Sequence, residues 1–382
     1  MIGEPDSDRA WILALINCPR KQESAPYAIN KIQAPYAGLR VVEIGQFTTA
    51  PLVSRQLAAL GAEVIKLEPP GGEGSRNWPP HQGEQGYFFT FSNSDKRSVV
   101  LDLSKDEDKQ RFRALLQTAD VLVENLKPGA LARLGFDAAE IQRINQRVVY
   151  CAISGFGLKS IYPGRPAFDT VVQAMCGFMD LTRAQGTPTK SGISAADIIG
   201  GELALLAIVA AIEYRDHSGF GQHIDISMQD AGVWATQMEW ASSPPNAHTV
   251  IVECADGYLA VDGDSVTVGQ WLACNGLNDM ATPRTTFSHN KLSSSAKRLG
   301  LVVAPVNNVA QVLHHPQVIS RKLVLYAQSE EGLRWPLLNS PLRLAKTPPA
   351  VKHPIGKLGE GDKEILAPLD AAIGIRNRSS EK

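Results

Sequence analysis

From Leu39 onward the chain alternates short apolar runs with amphipathic stretches, and that rhythm leaves few folds open. LRVVEIG reads as a strand, PLVSRQLAALG as an amphipathic helix stopped by Gly61, and AEVIKLEPP as a second strand. Strand, helix and strand in that order force a parallel pair with a crossover helix. The pattern continues with KRSVVLDL as a strand, residues 105–118 as a helix with a polar face, ADVLVENL as a strand, residues 137–146 as a short helix and RVVYCAISGFG as a strand. Such alternation predicts an α/β fold: a Rossmann-like open parallel sheet covered on both faces. Sheets of this kind bind ligands beyond the carboxyl ends of their strands. Those ends carry Gln46, Phe47, Thr48 and Thr49, then Pro69 to Gly74, Asn125 to Lys127, and Ser154 to Gly157.

The flanks read differently. Residues 1–36 form an N-terminal arm with an apolar patch around Trp11 to Ile16 and a polar run after it. Ile198 to Ile212 is the most apolar segment; it carries Glu202 and is short for a bilayer span, so it reads as a buried helix. DHSGFGQHIDISMQDAG gives a turn, a short strand and a new helix, and SSPPNAH reads as a linker. VIVECADGYLAVDG reads as a hairpin turning at ADG. Residues 263–300 are polar and weakly periodic, a Pro-rich return follows, and the tail after Arg376 is polar and expected to fray. The expected organisation is an arm at 1–36, a large domain from 37–225 and 301–382, and a linker with a smaller inserted α+β domain at 226–300.

Composition removes several functions. With 44% hydrophobic and 20% charged residues in 382, the chain is an ordinary globular one. A formal charge of -1 gives no general attraction to nucleic acid or membrane. Five cysteines, an odd number without a CxxC, suggest reduced thiols and a cytoplasmic location. WILALINC is short and follows acidic residues, unlike a signal peptide. There is no HExxH, no His or Cys pair at metal spacing and no GxSxG, so no metal is expected. GGEGSRN lacks the Lys-Ser/Thr of a phosphate loop, and GFGLKS lacks the third Gly of a dinucleotide fingerprint, so no NAD is expected either. His223 in HIDIS reads as structural. Lys96, Arg97, Lys127 and Arg133 stand near strand ends, either as solvated surface or as contacts to phosphate.

Several segments together resemble one family. They are AGLRVVEIGQFTTAPLVSRQLAALGAEVIKLEPPGG, NSDKRSVVLDL, ADVLVENLKPGALARLGFD, RVVYCAISGFG, RPAFDTVVQAMCG and GFGQHIDISMQDA. The chain resembles the class III CoA-transferase and α-methylacyl-CoA racemase family, also called CaiB/BaiF, most closely over residues 37–235. The resemblance implies an interlocked homodimer, or pairing with a paralogous subunit, with acyl-CoA as substrate and a carboxylic acid as acceptor. Carried over by position, CoA contacts fall at Thr48, Thr49, Pro69, Leu101, Ser104, Asn125, Leu126 and Arg133. Pro69 and Ser104 stand where the family can have an Arg and a Lys.

Transferases of the family use an Asp whose carboxylate attacks the thioester, giving a mixed anhydride and then an aspartyl-CoA thioester. The resemblance places that Asp in a segment reading LTRAQGTPTKSG here, at or beside Gln185, and an amide cannot form the anhydride. The racemases use a His before an Asp, a later Asp and a Glu of the small domain. Here the His position is Phe168, Asp169 and Asp197 are both present, and the Glu position falls near Asp264 or Ser265. Asp169 and Asp197 each precede or open a helix, where Asp commonly serves as a cap. Each also flanks the expected pocket, where a carboxylate facing a thioester has a raised pKa useful to a base. Asp169 and Asp197 are the catalytic candidates. The expected function is transfer of CoA between carboxylic acids or acid/base chemistry at an acyl-CoA α-carbon. The alternative is a non-catalytic or repurposed CoA-binding subunit.

Overall fold

Six parallel strands form the central sheet of the computed structural model, which describes residues 34–83, 85–163, 165–184, 186–239, 247–277, 283–329 and 332–375. In chain order the first elements are β1 (Arg40–Ile44), α1 (Thr49–Ala59), β2 (Glu63–Glu68), β3 (Lys96–Val100), α2 (Asp106–Thr118), β4 (Val121–Glu124), α3 (Ala138–Ile144) and β5 (Val149–Ser154). They continue with α4 (Asp169–Met175), α5 (Ala195–Ser218), β6 (His223–Ser227) and α6 (Met228–Ala235). The strand order is β6-β5-β4-β1-β2-β3, with every pairing parallel.

Period-two alternation sorts side chains to the two faces. Val41, Val64, Val121, Val123, Cys151 and Ile153 pack beneath Val53 and Leu57 of α1 and Ala204, Ile208 and Ala211 of α5. On the other face Val42, Ile65, Val99 and Leu122 meet Phe112, Leu115 and Leu116 of α2 and Ile141 of α3. Phe112 is fully buried and edge-on to Phe136 at 4.7 Å. Burial of one such ring contributes about 2–3 kcal/mol.

The apolar stretch read as Ile198 to Ile212 lies in a longer helix than expected. α5 has 24 residues and a mean hydropathy of 2.0 in its most apolar window, enough by length and composition to cross a membrane. It instead packs one face into the core and leaves Leu206, Val209 and Tyr214 on the other face exposed. Gly201 lets it approach α1: an added Cβ would lie 3.1 Å from Leu52 Cδ2 and 3.4 Å from the Thr49 carbonyl oxygen.

The described residues divide into two compact units, 34–236 with 321–375 and 237–320. This differs from the boundaries read in the sequence. Residues 226–236 stay with the large unit because α6 packs against α5. Residues 301–320 go with the small unit, where β9 (Val302–Pro305) pairs antiparallel with β8 (Gly257–Asp264), itself paired with β7 (Ala247–Cys254). The weakly periodic stretch holds two helices, α7 (Ser265–Cys274) and α8 (His289–Arg298). Trp271 of α7 is fully buried and its indole N–H donates to Ser295 of α8 at 2.8 Å. After this unit the large one gains a hairpin, β10 (Val324–Gln328) with β11 (Arg334–Leu338), and α9 (Asp362–Ile373). Residues 1–33, which include most of the expected arm, lie outside the described residues, as do most of the SSPPNAH linker and the tail from 376. The described cysteines Cys151, Cys176, Cys254 and Cys274 are unbridged.

Candidate active site

At the carboxyl edge of the sheet, α1, α4 and α5 bring the two candidate aspartates together. Their environments differ. Asp169 is the first residue of α4 and is buried. Its Oδ2 accepts from Gln173 Nε2 at 2.7 Å and pairs with Lys190 Nζ at 3.0 Å. Its Oδ1 accepts from the Ala196 N–H at 3.0 Å. Asp169 therefore does cap a helix, but the helix is α5 and not the one it opens: Ala196 is the second residue of α5, one of the N–H groups a helix cannot satisfy internally. Gln173 extends the arrangement by accepting from the Ser191 N–H and hydroxyl, both at 3.1 Å.

Asp197 stands one residue further along α5. It is half-buried, and its Oδ1 accepts from the Thr49 hydroxyl at 3.3 Å, with the Thr48 hydroxyl as a second donor. Burial pushes its carboxyl up, the charge of Asp169 adds to the push, and the group titrates at about 6. A carboxylate of that basicity is ionised at neutral pH and is a better nucleophile than an ordinary surface Asp. The first turn of a 24-residue helix places partial positive charge beside it.

The turn that presents the threonines is built from several strand ends. Lys66 Nζ donates to the Gly45 carbonyl at 2.9 Å. Asn125 accepts from the Gln46 N–H at 2.9 Å and donates to the Gln46 carbonyl at 2.8 Å. Phe47 stacks on Trp78 with centroids 5.2 Å apart and meets Phe168 edge-on at 6.4 Å. Phe168, next to Asp169 in the chain, is 66% exposed. The turn before Asp169 lies tight against the end of β5: a Cβ on Gly155 would stand 1.9 Å from that of Ala167.

The remaining expected CoA contacts line the same edge after β2, β3 and β4, with different availability. Pro69, Ser104 and Arg133 are exposed, and Leu126 is partly so. Ser104 donates its hydroxyl to Asp102 at 2.6 Å. Leu101 is buried, and its N–H is taken by the Glu68 carbonyl at 3.0 Å. Asn125 is half-buried, and both ends of its amide are engaged by Gln46. Lys96 does not face ligand: it is buried against Glu43 at 2.7 Å, while Arg97 pairs with Glu364 at 2.7 Å. Gln185 lies outside the described residues. Asp264 caps α7 by accepting from the Thr267 N–H at 2.9 Å, a structural use. Among the described residues no three His, Cys, Asp or Glu side chains gather as a metal site.

Sequence reasoning missed two buried acids beneath the edge. Glu73 accepts from the Phe47 N–H at 2.9 Å. Glu124, at the end of β4, accepts from the Leu126 N–H at 2.6 Å and from Tyr150 at 3.1 Å, and burial raises it to about 7. Only Glu124 stands at a strand end, and nothing in the local sequence says that either acid turns inward.

The model of CoA-transferase family III matches residues 36–266 and 275–362. The chain is 33% identical to a succinate–glutarate CoA-transferase of Agrobacterium fabrum, over 88% of this chain and 96% of that one. It is 40% identical to an acetyl-CoA:oxalate CoA-transferase of Acetobacter aceti over 52% of each chain. A CaiB/BaiF family protein from Brucella suis has a similar structure, with a TM-score of 0.78 at 30% identity, covering 89% of this chain and all of that one. With the match running through both units and one third of the residues shared with a relative over nearly its whole length, this chain belongs to CoA-transferase family III.

Proposed function

We propose that the protein moves CoA between small dicarboxylic acids, with succinyl-CoA as a donor, and that Asp197 is the carboxylate that attacks the thioester. The observation that carries this reading is the difference between the two aspartates. Asp169 is committed to an ammonium, an amide and a helix N–H, whereas Asp197 meets two threonine hydroxyls and is half-buried. The dicarboxylic substrates are supported by the similar enzymes, named for succinate, glutarate, oxalate and mesaconate.

In the proposed sequence an Asp197 oxygen attacks the thioester carbonyl, the C–S bond breaks, and a mixed anhydride and the CoA thiolate form. The thiolate then attacks the aspartyl carbonyl, releasing the first acid and leaving Asp197 as a CoA thioester. The acceptor carboxylate attacks that thioester, forming a second anhydride and freeing the thiolate. Attack of the thiolate on the acyl carbonyl yields the new acyl-CoA and restores Asp197. Asp169 and Lys190 hold the start of α5 in place throughout. Acid/base chemistry at the α-carbon fits less well, because Phe168 carries no proton and the Asp169 oxygens are already engaged. A purely CoA-binding role was motivated by Gln185, and Asp197 supplies a carboxylate without it.

In this reading CoA lies along Pro69, Ser104, Leu126 and Arg133, and the active form is a homodimer. Incubation with succinyl-CoA, then hydroxylamine and peptide mass spectrometry, tests it. A hydroxamate at Asp197, with CoA passing to glutarate, is expected. A modification at another residue, or no modification and no transfer, rejects it.

A further inference from the structure

The turn after β1 holds a phenylalanine in a conformation that favours glycine. Phe47 has φ of 62°, in the left-handed region where a Cβ meets the following carbonyl oxygen. Such a backbone persists only where its surroundings over-determine it. Glu73 is 5% exposed, and its Oε2 accepts from the Phe47 N–H at 2.9 Å. Its other oxygen accepts from the Ser75 hydroxyl, and its own N–H is held by Glu68 at 3.2 Å. A buried carboxylate is thus aimed at one strained peptide, a charge-assisted bond stronger than a neutral one. The loop carrying Glu73 has its own anchor: Arg76 forks onto both Glu68 oxygens at 2.7 Å and stacks on Phe89. The loop therefore has an anchor that does not involve Phe47. The residues that follow Phe47 are Thr48 and Thr49, whose hydroxyls meet Asp197.

We infer that Glu73 is a positioning residue for CoA transfer: its carboxylate locks the left-handed backbone of Phe47 and so aims the hydroxyls of Thr48 and Thr49 at Asp197. The inference rests on the reading of Asp197 as nucleophile. Glycine adopts positive φ without strain, so a glycine at position 47 needs no lock. The role of Glu73 should then depend on what stands at position 47.

The test measures kcat and KM for transfer from succinyl-CoA to glutarate, with the melting temperature of each variant. Glu73→Ala is expected to lower kcat by about 10-fold or more, the scale of a lost hydrogen bond to a charged group, with KM for succinyl-CoA within about two-fold. Glu73→Gln, whose amide oxygen still accepts, should recover most of the rate. Adding Glu73→Ala to Phe47→Gly should lower kcat by less than about two-fold, while adding it to Phe47→Ala should exact the full loss. Unchanged kcat in Glu73→Ala, equal losses in the glycine and alanine backgrounds, or losses that only follow the melting temperature overturn the inference. Hydroxylamine trapping on the parent enzyme separates the two levels. A hydroxamate away from Asp197 removes the nucleophile reading and the inference with it. A hydroxamate on Asp197 together with a fully active Glu73→Ala removes the positioning role alone.

Discussion

Replacing Glu43 by Gln should destabilise the large unit by about 3 kcal/mol at pH 7, and the size follows from its surroundings. The side chains of Glu43, Lys66 and Lys96 are all fully buried. One carboxylate oxygen meets Lys66 at 2.8 Å; the other meets Lys96 at 2.7 Å and Ser54 at 2.6 Å. Burial alone would push this carboxyl up, but the two ammonium groups override it and hold it at about 2, against 4.5 in the open. That difference corresponds to roughly 3 kcal/mol. A depressed carboxyl contributes its stability above the unfolded value, and the contribution disappears as pH falls from 4.5 through about 2. In the variant Lys66 and Lys96 lose their buried anion, and breaking such an arrangement typically costs about 3–5 kcal/mol. Lys96 has the opposite sign. Burial lowers it to about 7, so its penalty is fully present below that and fades as pH rises toward 10.5. The variant should accordingly regain stability between those limits. Guanidinium denaturation of the parent, Glu43→Gln and Glu43→Gln with Lys96→Met at pH 7 and pH 9 measures this. The double variant should recover part of the loss. A loss under about 1 kcal/mol, or a double variant no better than the single one, would refute the reasoning.

Three further outcomes are expected. Asp197→Asn should abolish transfer and hydroxamate formation while shifting the unfolding midpoint little, as followed by mass spectrometry and circular dichroism. The parent kcat/KM should fall about tenfold per pH unit below the Asp197 value of about 6 and level off above it; a flat profile between pH 5 and 7 would contradict the assignment. Gly155→Ala should cut activity sharply with α-helical content retained, because its new methyl must displace Ala167 and the turn leading to Asp169.

The sheet was legible because its strands are short apolar runs and its helices are bounded by recognisable stops, as at Gly61. The small-unit helices were not. SVTVGQWLAC contains β-branched residues and a glycine, and HNKLSSSAKR has Leu292 and Ala296 as its buried anchors, so packing rather than propensity makes them helical. The hairpin containing RWPLL was hidden by Pro336, a residue confined to sheet edges. Of the site, the two aspartates and two threonines could be named in advance, since each sits beside a strand end or a helix start. Their roles could not. Whether Asp169 caps its own helix or α5, whether Asn125 faces ligand or Gln46, and whether Lys96 points out or in depend on contacts far apart in sequence. The resemblance directed attention to Gln185, which lies outside the described residues, whereas the proposed nucleophile is Asp197.

The Asn125 bridge changes what the fold can accommodate. In this sheet the chain winds one way from β1 through β2 to β3 and the other way from β4 through β5 to β6, so the loops after β1 and β4 diverge and leave a slot between them. Dinucleotide-binding sheets lodge a pyrophosphate in that slot. Here the side-chain amide of Asn125 joins both polar groups of Gln46 and acts as one more rung of the β1–β4 ladder, beyond the point where the strands separate. That side-chain rung ties the two diverging loops together, so the turn carrying Thr48 and Thr49 is held to the end of β4 as well as to β1.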